Sequence, residues 1–418
     1  MPQLTADSFA FGGALMSVDE AAALLRQRVS AVEAVERVAL PDCVGRVLAE
    51  PVVAAMNLPP FNNSAVDGYA VAFADLGPDG PTALRVAGRI AAGHGAERKA
   101  ERGAAARIFT GAPMPDGADT VFMQEDVSVR PDGAVELPTG LARGANMRPA
   151  GEDIAEGELA LEAGLRLEPR HVALAAALGR DALPVRRPLR VALFSTGDEI
   201  VDVGGPLRPA SLYDSNRYAL HALLRRCGCE VGDFGILPDD RARTGARLAE
   251  AAEGFDLVLS SGGVSTGAED HVRAAIEAAG ALVFWRLAIK PGRPVAMGVL
   301  RGTPVIGLPG NPVAVFVTFA FVVRPLLAAL SAEAFAPASA LPVEAGFSYR
   351  KKAGRREYVR VGLRRRADGA PVLAKHPTDG AGVLTSLTRT DGLAEIREDV
   401  TRVEPGDRIG FLPYAMLF

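Results

Sequence analysis

Two adjacent acids at the end of an apolar run are the first feature that could do chemistry. In Phe194-Ser195-Thr196-Gly197-Asp198-Glu199 a run suited to a buried strand meets a glycine turn that carries both carboxylates. Hard cations such as Mg²⁺ take one or two carboxylates and fill the rest of their shell with water and substrate phosphates. Asp198 and Glu199 are therefore candidate metal ligands, although the pair also suits a solvated loop. A second feature is Ser260-Ser261-Gly262-Gly263-Val264-Ser265-Thr266-Gly267, followed by Glu269, Asp270 and a helical stretch. A glycine-rich strand-to-helix loop presents backbone N–H groups to an anion. It lacks the GK[ST] ending of a nucleotide-hydrolase loop and is not GxGxxG. It reads as a phosphate cradle of another kind, or as an ordinary turn.

The third feature is Trp285-Arg286-Leu287-Ala288-Ile289-Lys290-Pro291-Gly292-Arg293-Pro294. The chain has only five lysines, and Lys290 ends an apolar strand. Arg286, Lys290 and Arg293 could neutralise phosphate or oxyanion charge, or could form surface ion pairs. The fourth is Gly307-Leu308-Pro309-Gly310-Asn311-Pro312, a rigid strand-to-helix turn whose free N–H groups again favour an anion. Its Pro and Gly residues would also serve a purely structural turn. Outside this stretch, Pro59 to Tyr69 is a dense polar loop before a strand and by itself says only that the chain turns.

Composition narrows the functional classes. The 418 residues suggest two to four domains. With 49% hydrophobic and 23% charged residues, sizeable cores are expected rather than disorder. A formal net charge of -4 gives no reason to expect nucleic-acid binding, so an anionic ligand needs a local basic pocket. Cys43, Cys227 and Cys229 cannot form a disulfide framework and read as buried thiols. The five histidines are scattered without zinc-type spacing. No basic segment followed by an apolar one opens the chain, and the most apolar stretch, Val313 to Val323, is too short to span a bilayer and reads as a core helix. The expectation is a cytoplasmic protein with no membrane partner.

Elements must position these motifs. Ser17 to Val38 has helical spacing, with Ser17 and Glu20 forming a capping box. From Met56 to Met147 short β-type runs alternate with Gly, Pro and Asp clusters. Pro149 to Leu183 again reads as helical and connecting. If it packs beside the first helix, the β-rich part is an insertion in a discontinuous domain. Arg187 to Leu330 alternates strand and helix patterns, which implies a mainly parallel sheet covered by helices. Its motifs fall mostly at carboxyl ends of strands, the ligand edge of open α/β sheets. The closing helix is expected to take Asn311 as N-cap and Pro312 in its first turn. From Pro337 onward, short strands punctuated by Pro and Gly imply a C-terminal β-domain. The fold class is thus multidomain α/β plus β, with expected units at 1–55 with 148–186, 56–147, 187–331 and 337–418.

Taken together, the motifs resemble the MoeA, or gephyrin E-domain, family of molybdopterin molybdenumtransferases. The matching pieces are NNSAVDGYAV, FTGAPMPDGAD, RPAGEDI, FSTGDEI, YDSN, SSGGVSTG, LAIKPGRP and LPGNPV, followed by DGLAEI and PGDRI, in family order over nearly the whole chain. The resemblance implies a discontinuous domain, a β-rich insertion, a molybdopterin-binding α/β domain and a C-terminal β-barrel. It further implies a homodimer in which the Asp67 loop faces the partner's α/β domain. Asn62 stands where the family commonly has Asp, Ala268 where an acid is frequent and Arg286 where Lys is common. Asn62 and Ala268 therefore receive no metal role, whereas Arg286 keeps its charge.

The implied reaction uses adenylylated molybdopterin and molybdate as substrates, breaks the phosphoanhydride, releases AMP and leaves molybdenum on the dithiolene. The pterin brings both sulfurs, so no protein thiolate is needed. Mg²⁺ is the implied cofactor, with Asp198, Glu199, Asp270 and Asp67 of the partner subunit around it. Asp153, Asp239 and Asp240 are weaker carboxylate candidates. Asp67, Glu199, Asp270 and Lys290 form the expected catalytic set. Gly262, Gly263, Ser265, Arg286, Arg293, Pro309, Asn311, Pro312, Arg360 and Ser386 are the expected substrate contacts, the last two for molybdate. A molybdopterin adenylyltransferase is a further possible partner. Two other readings are a non-catalytic molybdopterin-binding or scaffold module, disfavoured by the carboxylates beside the glycine-rich loop, and an ATP-dependent adenylyltransferase, disfavoured by the extra domains and the LPGNPV turn.

Overall fold

The computed structural model describes residues 15–94, 99–238, 240–263 and 281–418. Helix α1 spans Val18–Arg28. Ser17 and Glu20 cap it reciprocally: Glu20 N donates to Ser17 Oγ, while Ser17 N and Oγ donate to the Glu20 carboxylate at 2.8 Å. The helix stops at Arg28, short of Val38, because Val35–Ala39 forms strand β1. β1 pairs antiparallel with β7, Ala182–Arg186, about the far end of the first region. Helix α2, Pro169–Ala177, packs with Leu40, Cys43, Leu48 and Val52, not beside α1. Val18 and Ala21 of α1 instead join the core of the α/β unit. Asp19 pairs with Arg356 of the C-terminal barrel at 2.7 Å.

The inserted sheet contains β2 (Gly68–Val71), β3 (Thr82–Ile90), β4 (Ala104–Ile108), β5 (Thr120–Met123) and β6 (Val135–Leu137). Their order is β5-β2-β4-β3-β6, with Ser128–Val129 on the outer edge of β6. Alternate residues of these strands fill two small cores, one around Ile108 and Val121, the other around Phe122 and Leu137.

The α/β unit is built on β8 (Arg190–Thr196), β9 (Glu230–Leu237), β10 (Leu257–Ser261), β11 (Ala281–Arg286), β13 (Pro294–Leu300) and β14 (Thr303–Leu308). Between β11 and β13, the two-residue strand β12, Ile289–Lys290, leaves this sheet for the barrel. The sheet order is β9-β8-β10-β14-β13-β11. The first four strands are parallel, and β13 pairs antiparallel with both β14 and β11, so β13 alone runs against the others and the sheet is mainly parallel. β8 and β10 are buried at nearly every position, which explains their continuous apolar runs. Helices α3 (Ser215–Arg226) and α4 (Arg241–Gly254) cover it.

Helix α5, Pro312–Leu330, closes the unit. It is longer than the apolar stretch that signalled it, because it continues through Arg324 and Pro325. Pro325 has no N–H to return to the preceding turn. The helix meets this loss with a π-turn over Phe319–Val323, just before the proline. Length and apolarity alone would let α5 cross a membrane, but it is 83% buried inside the fold, as a core helix is.

The barrel comprises β15 (Leu341–Ala345), β16 (Arg356–Arg365), β17 (Pro371–Lys375), β18 (Gly392–Ile396) and β19 (Arg408–Pro413). The pairings β16-β17-β15-β19-β18 close on themselves through β18 and β16. β12 adds to β16 in parallel, which joins the α/β unit to the barrel immediately at Lys290.

Candidate functional site

Three strand ends build one edge. β8, β10 and β14 are neighbours and parallel, so residues 197–199, 262–263 and 309–312 emerge together from their carboxyl ends. Gly262 has φ +88°, and a Cβ there would lie 2.6 Å from Thr196 O. Only glycine lets the two strand ends approach so closely. Its N–H is used by Leu308 O at 3.0 Å, so Gly262 shapes the loop rather than donating to a ligand. Asn216 Nδ2 ties the edge together by donating to Ser261 Oγ at 2.9 Å and Gly310 O at 2.7 Å. Ser195, Thr196 and Ser260 add buried hydroxyls with no hydrogen-bond partner among the described residues. Buried polar groups are normally paired, so unpaired hydroxyls at a ligand edge mark places for ligand atoms.

Asp198 and Glu199 are exposed on the first of these loops. The Glu199 carboxylate folds back over Gly197, where a Cβ would sit 2.7 Å from Glu199 Oε2. No three His, Cys, Asp or Glu side chains converge on a metal position among the described residues. Asp270, Ser265 and Asp239 lie outside the described residues, as does the side chain of Arg286. Asp240 caps α4, accepting from Arg243 N at 2.7 Å, which gives it a structural task in place of a metal role. Asp153 is exposed in the segment that follows the Met147–Arg148 strand.

Between the α/β unit and the barrel lies a cavity of about 280 Å³. Lys290, Arg293, Pro309 and Asn311 line it from one side, and Arg360 with Glu357 from the other. The structure thus gathers five expected contacts from positions 70 residues apart in the chain. Gly292 allows the Lys290–Arg293 segment to pass against α5: a Cβ there would lie 2.4 Å from Thr318 Cγ2. Asn311 occupies the N-cap position without a capping hydrogen bond from its side chain, and it stays exposed at the cavity. The helix N-terminus is partly closed to anions, since Ala381 O accepts from Val313 N at 3.0 Å. Pro312 begins the helix.

The cations in this cavity are held differently. Lys290 Nζ donates to Glu357 Oε2 and to Tyr349 Oη, both at 3.2 Å. Burial works to raise the Glu357 carboxyl, but hydrogen bonds from Tyr349, Arg355 and Lys290 outweigh it and hold the group below its ordinary value. Burial and the neighbouring Glu357 push the Tyr349 hydroxyl up, so it remains a donor. Arg360 is 4% exposed and has no carboxylate partner among the described residues. Its Nε donates to Ser386 Oγ at 3.1 Å, and its Nη2 to Thr378 O and Gly380 O. Burial lowers its affinity for a proton, and the field of the Asp379 carboxylate offsets that only in part. Ser386 is fully buried and donates to Val383 O at 2.6 Å, which leaves it an acceptor for Arg360. Arg293 is exposed at the rim.

Asp67 sits apart in the inserted sheet region. Its Oδ1 accepts from Thr110 N and Thr110 Oγ1, both at 2.8 Å. These bonds hold the Asp67 carboxyl below the usual carboxylate range. Sequence reasoning overlooked Tyr349, Glu357 and Asp379 in the cavity and the buried hydroxyls of Ser195, Thr196 and Ser260. The hydroxyls were visible inside FSTGDEI and SSGGVSTG, whereas the first three carry no local signal.

An α/β unit whose ligand edge meets a β-barrel across a cationic cavity defines a protein built to handle anionic ligands. Similarity to known proteins makes that class specific. Residues 16–179 match the MoeA N-terminal region (domain I and II), 192–329 a probable molybdopterin binding domain and 342–414 the MoeA C-terminal region (domain IV). A molybdopterin molybdenumtransferase of Haemophilus influenzae is 39% identical over 319 residues, covering 76% of this chain and 78% of that protein. Molybdopterin molybdenumtransferase 2 of Mycobacterium tuberculosis is 36% identical over 383 residues, covering 89% and 93%. A crystal structure of the molybdopterin biosynthesis MoeA protein from Pyrococcus horikoshii aligns with a TM-score of 0.82 at 29% identity, covering 96% of this chain and 100% of that one. The chain belongs to the MoeA family of molybdopterin molybdenumtransferases.

Proposed function

We propose that this chain is an enzyme that transfers molybdenum from molybdate to molybdopterin, with adenylylated molybdopterin as the form used and AMP as the leaving product. The observation that carries the reading is Arg360: a buried guanidinium with no carboxylate partner among the described residues, in a cavity shared with Lys290. A small tetrahedral oxyanion is the ligand such a group suits. Lys290, Arg293 and Arg360 would bind molybdate, with Ser386 fixing the Arg360 fork and Tyr349 offering a neutral donor. Pro309 and Asn311 would border the substrate between cavity and strand edge. Ser195, Thr196, Ser260 and Gly263 would meet the phosphate or pterin. This arrangement would orient the two substrates toward one another and exclude water from the oxyanion.

The exposed oxygens of Asp198 and Glu199 suit Mg²⁺, which accepts one or two carboxylates and leaves room for phosphate oxygens. Mg²⁺ bound there would neutralise phosphate charge. Asp270 and the partner subunit's Asp67 would complete this acid end in a homodimer. The expected setting is the cytoplasm, and the proposed units are 1–55 with 148–186, 56–147, 187–331 and 337–418.

AMP release measured against Mg²⁺ concentration tests the proposal. Glu199→Gln should shift the Mg²⁺ requirement upward by about tenfold or more and recover partly at excess Mg²⁺, corresponding to about 1.4 kcal/mol. Lys290→Ala should lose turnover without such rescue. Identical Mg²⁺ dependence in wild type and both variants would remove Glu199 from the metal. Mixed dimers of Asp67→Asn and Lys290→Ala chains should regain activity that neither variant has alone. Folded mixed dimers without activity would exclude a shared site.

A further inference from the structure

A second cluster of arginines lies far from any of these residues in role, where the first region joins the α/β unit. A cavity of about 20 Å³ is lined there by Arg46, Arg166, Arg186 and Arg187, with Cys227 and Cys229 among its other walls. That space holds about one small species. The Nε atoms of Arg166 and Arg186 are both buried and have no hydrogen-bond partner among the described residues. Both arginines line the same small cavity, and an unmet buried donor is destabilising, so two at one place call for a partner.

The local charges do not balance. Arg46 pairs with Glu36 at 2.7 Å, Arg166 with Glu333 at 2.6 Å and Arg187 with Asp256 at 2.7 Å. Glu333 is shared with Arg324. Arg186 has no carboxylate partner among the described residues, and its Nη1 donates to Glu33 O at 3.1 Å. Of the four lining arginines, Arg186 thus has no carboxylate partner among the described residues and Arg166 shares its own with Arg324. The thiols do not supply the missing charge, because burial pushes the Cys229 thiol up to about 12 and raises Cys227 as well. The nearby carbonyls are already used: Gly45 O and Cys227 O accept from Arg166, Arg186 O from Arg46, and Pro188 O from Arg187. A water molecule would bring two hydrogens of its own into a place already rich in donors. An ion that only accepts suits it better.

We propose that this cavity binds one small monovalent inorganic anion of the halide class, chloride in ordinary buffers, contacted by the Nε–H groups of Arg166 and Arg186. Phosphate and sulfate are too large for the space. The anion would brace the joint, because Arg46, Arg166 and Arg186 belong to the first region while Cys227 and Cys229 flank the end of α3 in the α/β unit. It is independent of the transferase reaction.

The test uses the full chain crystallised with sodium bromide, with anomalous diffraction recorded at the bromine edge. A bromide peak in contact with both Nε atoms is expected. In solution, the wild-type Tm should rise by a few degrees, saturably, in sodium chloride or bromide relative to sodium gluconate at equal ionic strength. Arg186→Met should lose both the peak and the halide-specific rise. Density without anomalous signal would mean a water and would overturn the proposal, as would a halide effect that persists in Arg186→Met. If that variant does not fold, the wild-type anomalous map and halide titration still decide.

Discussion

Arg217 and Arg360 are each 4% exposed, yet the molecule uses them in opposite ways. Arg217, on α3, is surrounded by Asp202, Asp214 and Asp233. Burial works to lower its proton affinity, but these three carboxylates outweigh it and raise it. The arginine pins the segment after Asp198 and Glu199 onto the sheet, since Asp202 lies in that segment and Asp233 in β9. Arg360, in the barrel, meets neutral oxygens only, and burial leaves its proton affinity lowered. One buried charge is consumed by the fold, whereas the other remains available to a ligand. A buried arginine is thus informative about function through its partners, not through its burial.

The largest expected effect separates the two by activity. Arg360→Gln should lower molybdenum transfer by about 10²–10³-fold, the usual consequence of removing one preorganised donor from an oxyanion site. Thermal stability should be kept or slightly improved, because the variant removes a buried charge that has no direct carboxylate partner among the described residues and that the field of Asp379 offsets only in part. Turnover assays beside a melting curve make the check. A large fall in Tm with turnover preserved in the folded fraction would show that Arg360 is structural.

Arg217→Gln should do the reverse. It leaves Asp214, which is almost fully buried, without its cation and brings three carboxylates into mutual repulsion. Breaking a buried pair on one side costs about 3 kcal/mol or more, although Asp202 and Asp233 are partly exposed and screened, so about 2–3 kcal/mol is expected here. Urea denaturation should register the loss at neutral pH and a smaller one in acid, where the carboxylates are protonated. Equal destabilisation at both pH values would mean that packing, not charge, links Arg217 to the loop.

Much of this arrangement was legible from the chain. The α/β elements declared themselves because strands buried on both faces read as unbroken apolar runs, and the α1 cap was written in Ser17 and Glu20. Lys290, Arg293, Pro309 and Asn311 were legible as motif residues, and Arg360 through family resemblance. What could not be read depends on distant partners. Val35–Ala39 continued a helical pattern, yet pairs with Ala182–Arg186 across the whole inserted sheet. From the residues alone the C-terminal stretch read only as short strands; that Leu341–Ala345 and Gly392–Ile396 close a barrel follows from their pairing with distant strands. The three-carboxylate environment of Arg217 and the neutral hydrogen-bond partners of Arg360 follow from tertiary packing, so residue type alone could not tell them apart.

Asp67 offers the smallest and most local test of the same contrast, now with a carboxylate. Its charge is held by two neutral donors from Thr110, and Arg107 adds a weaker favourable field. The folded-state value is therefore below that of the unfolded chain. The stabilisation it contributes is complete above the unfolded value and is lost as pH falls through the folded value. Thr110→Val removes the side-chain bond but retains the backbone one, so the Asp67 carboxyl should titrate at higher pH than in wild type while staying ionised at neutral pH. Because the group is exposed, Tm should hardly change. Carbon-detected NMR of the Asp67 carboxyl across an acid titration gives the comparison, with Thr110→Ser as the conservative control that keeps the hydroxyl and the wild-type curve. If Thr110→Val leaves the titration where it was, the backbone N–H alone sets the charge state, and the Thr110 hydroxyl has no part in keeping Asp67 ionised.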